Sequence, residues 1–159
     1  MHIHKIDATT IKNMIVSGAN NLENNKNMVN ALNIFPVPDG DTGTNMSLTM
    51  SSAVKEINSL KTVELHGVFE AAANGTLMGA RGNSGVILSQ IFRGFAKGVK
   101  KHNDLSVAAV ADSFMEGSST AYKAIMKPTE GTILTVIRET AEFAVKSKDK
   151  YSDLIEFFE

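Results

Sequence analysis

Two aspartates separated by one glycine, Asp39 and Asp41, are the residues in this chain best suited to chemistry. They lie in the run Pro36-Val37-Pro38-Asp39-Gly40-Asp41-Thr42-Gly43-Thr44-Asn45. Each proline pushes the residue before it away from helical geometry, so Phe35 to Asp39 is expected to run extended. Residues two apart in an extended segment point to the same side, and both carboxylates then project together. At close range they repel by roughly 1–4 kcal/mol, depending on effective dielectric, and a cation relieves that cost. Oxygen donors without nearby His or Cys favour Mg²⁺ or Ca²⁺ over zinc. An EF-hand fits at its first and third positions but then fails, with Gly43 at the fifth, Thr44 at the sixth and Met50 at the twelfth. Mg²⁺ takes one or two carboxylates and completes its shell with waters and phosphate oxygens, which matches this sparse supply. A turn-and-cap role for the two acids fits the pattern equally well, because Asp-Gly and Thr-Gly form turns. The continuation Thr42–Asn45 favours the metal, since it opens a helix whose free N–H groups would receive an anion.

Two more loops contain unusual residues. Gly79-Ala80-Arg81-Gly82-Asn83-Ser84-Gly85 has three glycines that let a ligand approach the backbone, and Asn83 or Ser84 can cap the helix that follows. It is neither a Walker loop nor a Rossmann fingerprint, and by itself it also reads as a plain helix–helix turn. Arg81 can meet a phosphate or a surface acid. Lys127-Pro128-Thr129-Glu130-Gly131-Thr132 precedes another helix, with Thr132 as its cap or as a ligand contact. The four histidines, His2, His4, His66 and His102, show no metal-binding spacing and are expected to face solvent.

The elements that must position these loops read as helices almost throughout, with no cleanly alternating strand. Asp7 or Thr9 caps a first helix with Ile11, Met14, Ile15 and Leu22 on its apolar face, weakened over Asn20–Asn27 and followed by a short turn around Met28 and Leu32. Further apolar stripes are Met46, Met50, Ala53, Val54 and Ile57; then Leu65, Val68, Phe69, Ala72 and Leu77. Leu88, Ile91, Phe92, Phe95 and Val99 mark a fourth helix from about Ser84. Val107, Val110, Ala111, Phe114, Ala121 and Ile125 mark a fifth. Ile133, Ile137, Ala141 and Ala144 follow, and Tyr151 to Phe158 opens a last helix. Helices gain most of their stability by burying such faces, and short connections make an antiparallel bundle.

The chain of 159 residues suits one domain, residues 1–159, with 16 basic against 17 acidic residues and a net charge of -1. Only Lys100-Lys101-His102 approaches a basic run, so nucleic acid is not an expected partner. The absence of cysteine excludes disulfides and thiolate chemistry. With no signal-peptide pattern and no apolar run of membrane-spanning length, the cytoplasm is the simplest location.

Taken together, Asn33-Ile34-Phe35-Pro36-Val37-Pro38-Asp39-Gly40-Asp41-Thr42-Gly43-Thr44-Asn45-Met46 and Gly79 to Gln90 resemble the nucleotide-binding domain shared by two kinases. These are the L subunit of dihydroxyacetone kinase and the ATP-binding subunit of bacterial fatty acid kinase. Lys127 to Leu134 resembles a further motif of the fatty acid kinase branch. The resemblance implies an all-α barrel of antiparallel amphipathic helices that holds Mg–ATP at one end. It implies that Asp39 and Asp41 bind a pair of Mg²⁺ ions bridging the ATP phosphates, and it makes Asn33 a further candidate metal ligand, in the stretch where triose kinases carry another metal-binding aspartate. Thr42, Gly43, Thr44 and Asn45 would form the phosphate-binding helix start, with Asn83, Ser84 and Thr132 as further nucleotide contacts.

The family domain continues beyond the position of Glu159, so the chain is expected to be the N-terminal part of a longer protein that dimerises through later regions. The implied reaction is ATP-dependent phosphorylation of a fatty acid carboxylate presented by a separate fatty-acid-binding protein, giving an acyl phosphate. Phosphorylation of a triose, or nucleotide binding without turnover, are the alternatives. A carboxylate is already ionised near neutral pH, so no general base is needed. Positioning and charge neutralisation would carry the catalysis.

Overall fold

The computed structural model describes residues 2–159, and among these the regular elements are helices apart from one isolated antiparallel bridge between Ile6 and Leu105. The helices are α1 (Ala8–Leu32), α2 (Thr42–Asn58), α3 (Leu65–Met78), α4 (Gly82–Val99), α5 (Val107–Ala124), α6 (Ile133–Ser147) and α7 (Leu154–Phe158). Each packs against the next from α1 to α6, and α2 also meets α4. The all-α antiparallel bundle expected from helical periodicity is the architecture found.

Local signals explain where most helices begin. Asp7 caps α1, its Oδ1 accepting the Thr10 N–H at 2.7 Å. Ser106 caps α5 by accepting from Ala109, and Thr132 caps α6 by accepting from Leu134. The weak point expected over Asn20–Asn27 does not occur, and α1 runs unbroken for 25 residues. Its polar stretch is covered by α2, which lies so close that a Cβ on Gly43 would stand 2.2 Å from the Lys26 carbonyl oxygen. Packing against a neighbour has overridden intrinsic propensity. Met14 and Leu77, expected on core faces, are exposed.

The apolar core gathers in one half of the bundle. Ile11 and Ile15 of α1, Ile57 of α2, Val68 and Phe69 of α3, Val99 of α4 and Val110 of α5 meet Ile6, Leu105 and Leu154 there. Phe95 links them, with ring centroids 5.2 Å from both Phe69 and Phe114. Nearer the other end the interior holds small hydroxyl residues. Thr49 donates to the Asn45 carbonyl at 2.7 Å and Thr76 to that of Ala72 at 2.8 Å, so these buried groups are satisfied within their own helices.

At the core end, α7 is tied to the N-terminal segment. Leu154 N–H donates to the Ile3 carbonyl at 2.7 Å, and His2 Nδ1 lies 2.8 Å from Asp153 Oδ2. His2, Asp153 and Glu156 bring potential ligand atoms within 4.8 Å of one another. Asp153 is already engaged, however, accepting from Ile155 N–H as the cap of α7 as well as facing His2. His2, His4 and His66 face solvent as expected, whereas His102 is half-buried with Nε2 3.2 Å from Asp112 Oδ2.

The α4–α5 seam depends on the absence of side chains. A Cβ on Gly94 would meet the Glu116 carbonyl oxygen at 2.3 Å, and one on Gly98 would meet Ser113 Cα at 2.5 Å. Gly94→Ala is therefore expected to lower unfolding free energy by about 1–3 kcal/mol in urea denaturation, as overpacking does. Gly18→Ala in α1, with nothing within 4 Å of the added carbon, is expected to raise it by about 0.5–1 kcal/mol through helix propensity.

Candidate functional site

An up-and-down bundle brings every second connection to the same end. The α1–α2, α3–α4 and α5–α6 connections therefore converge at the end away from the core, and they are the three loops singled out in the sequence. They surround a cleft of about 530 Å³, within the range of roughly 300–1,000 Å³ usual for small-molecule sites. Asn33, Asp39 and Asp41 line it from the first loop, and Thr42, Asn45 and Met46 from the start of α2. Gly82, Asn83 and Ser84 line it from the start of α4, and Lys127, Thr129 and Thr132 from the third loop. Phe35, Val37, Ile87, Ile125 and Leu134 supply apolar wall.

Asp39 and Asp41 are both exposed. Neither forms an ion pair among the described residues, and Asp41 stands at the N-cap of α2 without using its side chain as a cap. The cap is provided from α1 instead. Asn33 Oδ1 accepts from Asp41 N–H at 3.2 Å and Thr42 N–H at 3.4 Å, and Asn30 Oδ1 accepts from Thr44 N–H at 3.0 Å. The free N–H groups expected at this helix start are thus mostly engaged, because the polar tail of α1 lies against it. Asn30 also donates to Thr44 Oγ1 at 2.9 Å. Gly43 is buried against Lys26, and neither Gly43 nor Thr44 lines the cleft. Their part is to fit α2 onto α1.

The open helix start is that of α4. It begins at Gly82, two residues before the expected Ser84, and neither Asn83 nor Ser84 caps it. Gly82 has φ +59°, in the left-handed region, and a Cβ there would stand 2.3 Å from Asn45 Nδ2. Arg81 N–H donates to Thr49 Oγ1 at 3.2 Å, fixing the loop on α2, while the N–H groups of Gly82, Asn83 and Ser84 have no acceptor among the described residues. Uncapped N–H groups of that kind, at the positive end of a helix dipole, suit phosphate oxygens. Arg81, for which phosphate and a surface acid were both open, donates to the Ala80 carbonyl at 3.0 Å. Thr132 both caps α6 and lines the cleft, with its hydroxyl donating to the Thr129 carbonyl at 2.7 Å.

The donor set fits a hard divalent cation with a polyanion beside it: two carboxylates without an ion-pair partner, one uncapped helix start and, among the described lining residues, no thiolate or imidazole. Residues 36–159 match the family described as DAK2 domain. The chain belongs to the DAK2 domain family. This family is kinase-related and binds ADP or ATP. Among its relatives are uncharacterized proteins of Staphylococcus aureus strains bovine RF122 / ET3-1, USA300 and NCTC 8325 / PS 47. Each is 48% identical over 157 residues, covering 99% of this chain and 29% of the relative. This DAK2 domain thus spans under a third of the length of the proteins it resembles. None of its described helices is long and apolar enough to cross a membrane.

Asn33 distinguishes a loop organiser from a metal ligand. Its Oδ1 holds two N–H groups and its Nδ2 donates to the Val37 carbonyl at 3.0 Å. Asn33→Ala is expected to lower stability by about 0.5–2 kcal/mol in chelator-treated protein, the usual cost of losing a helix cap. Unchanged stability without divalent cations, together with weaker Mg²⁺ binding, would return Asn33 to the ligand set.

Proposed function

We propose that this chain is the Mg–ATP-holding domain of a kinase that phosphorylates a fatty acid carboxylate. The carboxylate is carried by a separate fatty-acid-binding protein, and the enzyme assembles as a homodimer through regions outside residues 1–159. The observation that carries the nucleotide half of this reading is the pair of unneutralised acids, Asp39 and Asp41, sharing a cleft with the uncapped start of α4. The fatty acid half is supported by the resemblance of Asn33–Met46 and Lys127–Leu134 to the fatty acid kinase branch.

In this reading Asp39 and Asp41 hold a pair of Mg²⁺ ions, and the N–H groups of Gly82, Asn83 and Ser84 receive phosphate oxygens. When bound, Mg²⁺ supplies neutralisation of the triphosphate charge. Phe35, Val37, Ile87 and Leu134 give the cleft an apolar wall for the less polar part of the nucleotide and keep water from it. One carboxylate oxygen of the acceptor bonds to the terminal phosphorus while the bond to the ADP oxygen breaks. No proton is transferred, in keeping with a cleft that offers no histidine. The chain's own contribution is therefore placement and electrostatics, which phosphoryl transfer principally requires.

Asp39→Ala and Asp41→Ala are each expected to abolish Mg²⁺-dependent ATP binding in calorimetry and phosphoryl transfer in the intact protein. Far-UV circular dichroism should be unchanged, because neither side chain supports the fold. Transfer retained in both variants rejects the metal role. Transfer to dihydroxyacetone with its carrier, and none to a fatty acid on its binding protein, moves the assignment to a triose kinase. Nucleotide binding with neither transfer leaves a non-catalytic module.

A further inference from the structure

Three charged side chains line the cleft, and Lys127 is the one cation among them. It forms no ion pair among the described residues, and Arg81, which does not line the cleft, donates one guanidinium N–H to the Ala80 carbonyl. A lysine on an ordinary surface loop would be worth little, because its long side chain and its backbone would both have to be ordered to meet a ligand. This loop is already braced. Glu130 receives the Tyr122 hydroxyl of α5 at 3.0 Å on one carboxylate oxygen. Its other oxygen receives the Thr135 hydroxyl at 2.8 Å and Arg138 Nη2 at 3.0 Å, both from α6. Arg138 Nε also donates to the Tyr122 hydroxyl at 3.3 Å, closing the set. Two bonds within the connection add to it, Thr132 Oγ1 to the Thr129 carbonyl at 2.7 Å and Gly131 N–H to Thr135 Oγ1 at 2.8 Å.

An exposed network this dense needs a reason. α5 and α6 also pack against each other directly, so the network is not the sole link between them. Its effect is local: it fixes the backbone three residues from Lys127, whose exposed side chain lines the cleft and forms no ion pair among the described residues. Resting on the nucleotide reading above, we propose that Lys127 contacts the terminal phosphate of bound ATP, and that Glu130 is the positioning residue that sets its loop. The ammonium group is a compact charge with three rotatable donors, suited to phosphate oxygens that change position during transfer. Metal ions held by Asp39 and Asp41 would neutralise part of the triphosphate charge from one loop, and Lys127 completes the neutralisation from another. It does so without acting as an acid or base.

The test compares Mg–ATP with Mg–ADP binding to the intact protein by calorimetry, which requires no acceptor. The native protein should bind Mg–ATP more tightly than Mg–ADP. Lys127→Met should weaken Mg–ATP binding roughly tenfold, the scale of one charge-assisted contact, and leave Mg–ADP unchanged. Lys127→Arg should restore part of the preference. Glu130→Gln should reduce the preference for ATP with Mg–ADP affinity and melting temperature intact, a pattern that general destabilisation would not give. Where transfer is measured, Lys127→Met should lower kcat by roughly 10²-fold or more, with a smaller change in KM. A Lys127→Met protein that keeps the native preference for ATP overturns the assignment of Lys127 while leaving the nucleotide site in place. A native protein that binds neither nucleotide overturns both readings.

Discussion

A bundle of helices joined by short connections has two ends, and alternate connections must fall on the same one. In this DAK2 domain that constraint does most to build the site. The loops carrying Asp39 and Asp41, Gly82 to Ser84, and Lys127 to Thr132 are far apart in sequence, with a pair of helices between each and the next. No loop-to-loop interaction is needed to gather them. The direction of the chain suffices, and the same alternation sends the other connections to the end where Ile6, Leu105 and Leu154 complete the apolar core.

The two ends are then free to differ in chemistry. Stability is concentrated where Ile57, Val68, Val99 and Val110 meet, and the opposite end holds the helices together by close backbone approach. Gly43 against the Lys26 backbone and Gly75 against that of Ala53 bring α1, α2 and α3 within distances that a methyl group would prevent, and Gly82 leaves room for the Asn45 side chain beside α4. Small residues leave room for a cleft, and hydroxyls such as Thr49 can both satisfy their own helix and hold a neighbouring loop.

The helical architecture was legible because apolar spacing is a property of each segment alone, and six amphipathic stripes in succession admit little besides a bundle. The acids were legible as candidates only with their context, since two carboxylates around Gly40 suit a turn as well as a metal and the helix start that follows decides between them. What the sequence did not reveal was which helix start would be open. Thr42–Asn45 reads as the phosphate-binding helix start and Asn83–Ser84 as caps or further nucleotide contacts; in the structure several N–H groups at the start of α2 are already engaged by Asn30 and Asn33, while those at the start of α4 are open. The answer lay in Asn30 and Asn33, at the C-terminal end of α1 beyond the stretch that reads as poor helix. Their amide oxygens find the N–H groups of α2 only after α1 has folded back on it. The Glu130 brace was equally hidden, since its partners Tyr122 and Arg138 belong to different helices.

The use of neutral amides at the start of α2 has a consequence for exchange. Had Asp41 served as the cap, its charge would have been shared with the helix, and whatever drew it outward would have frayed the first turn. With Asn30 and Asn33 in that office, the carboxylate is mechanically independent of the helix beside it. A ligand drawn to that carboxylate would therefore not have to take the first turn of α2 with it.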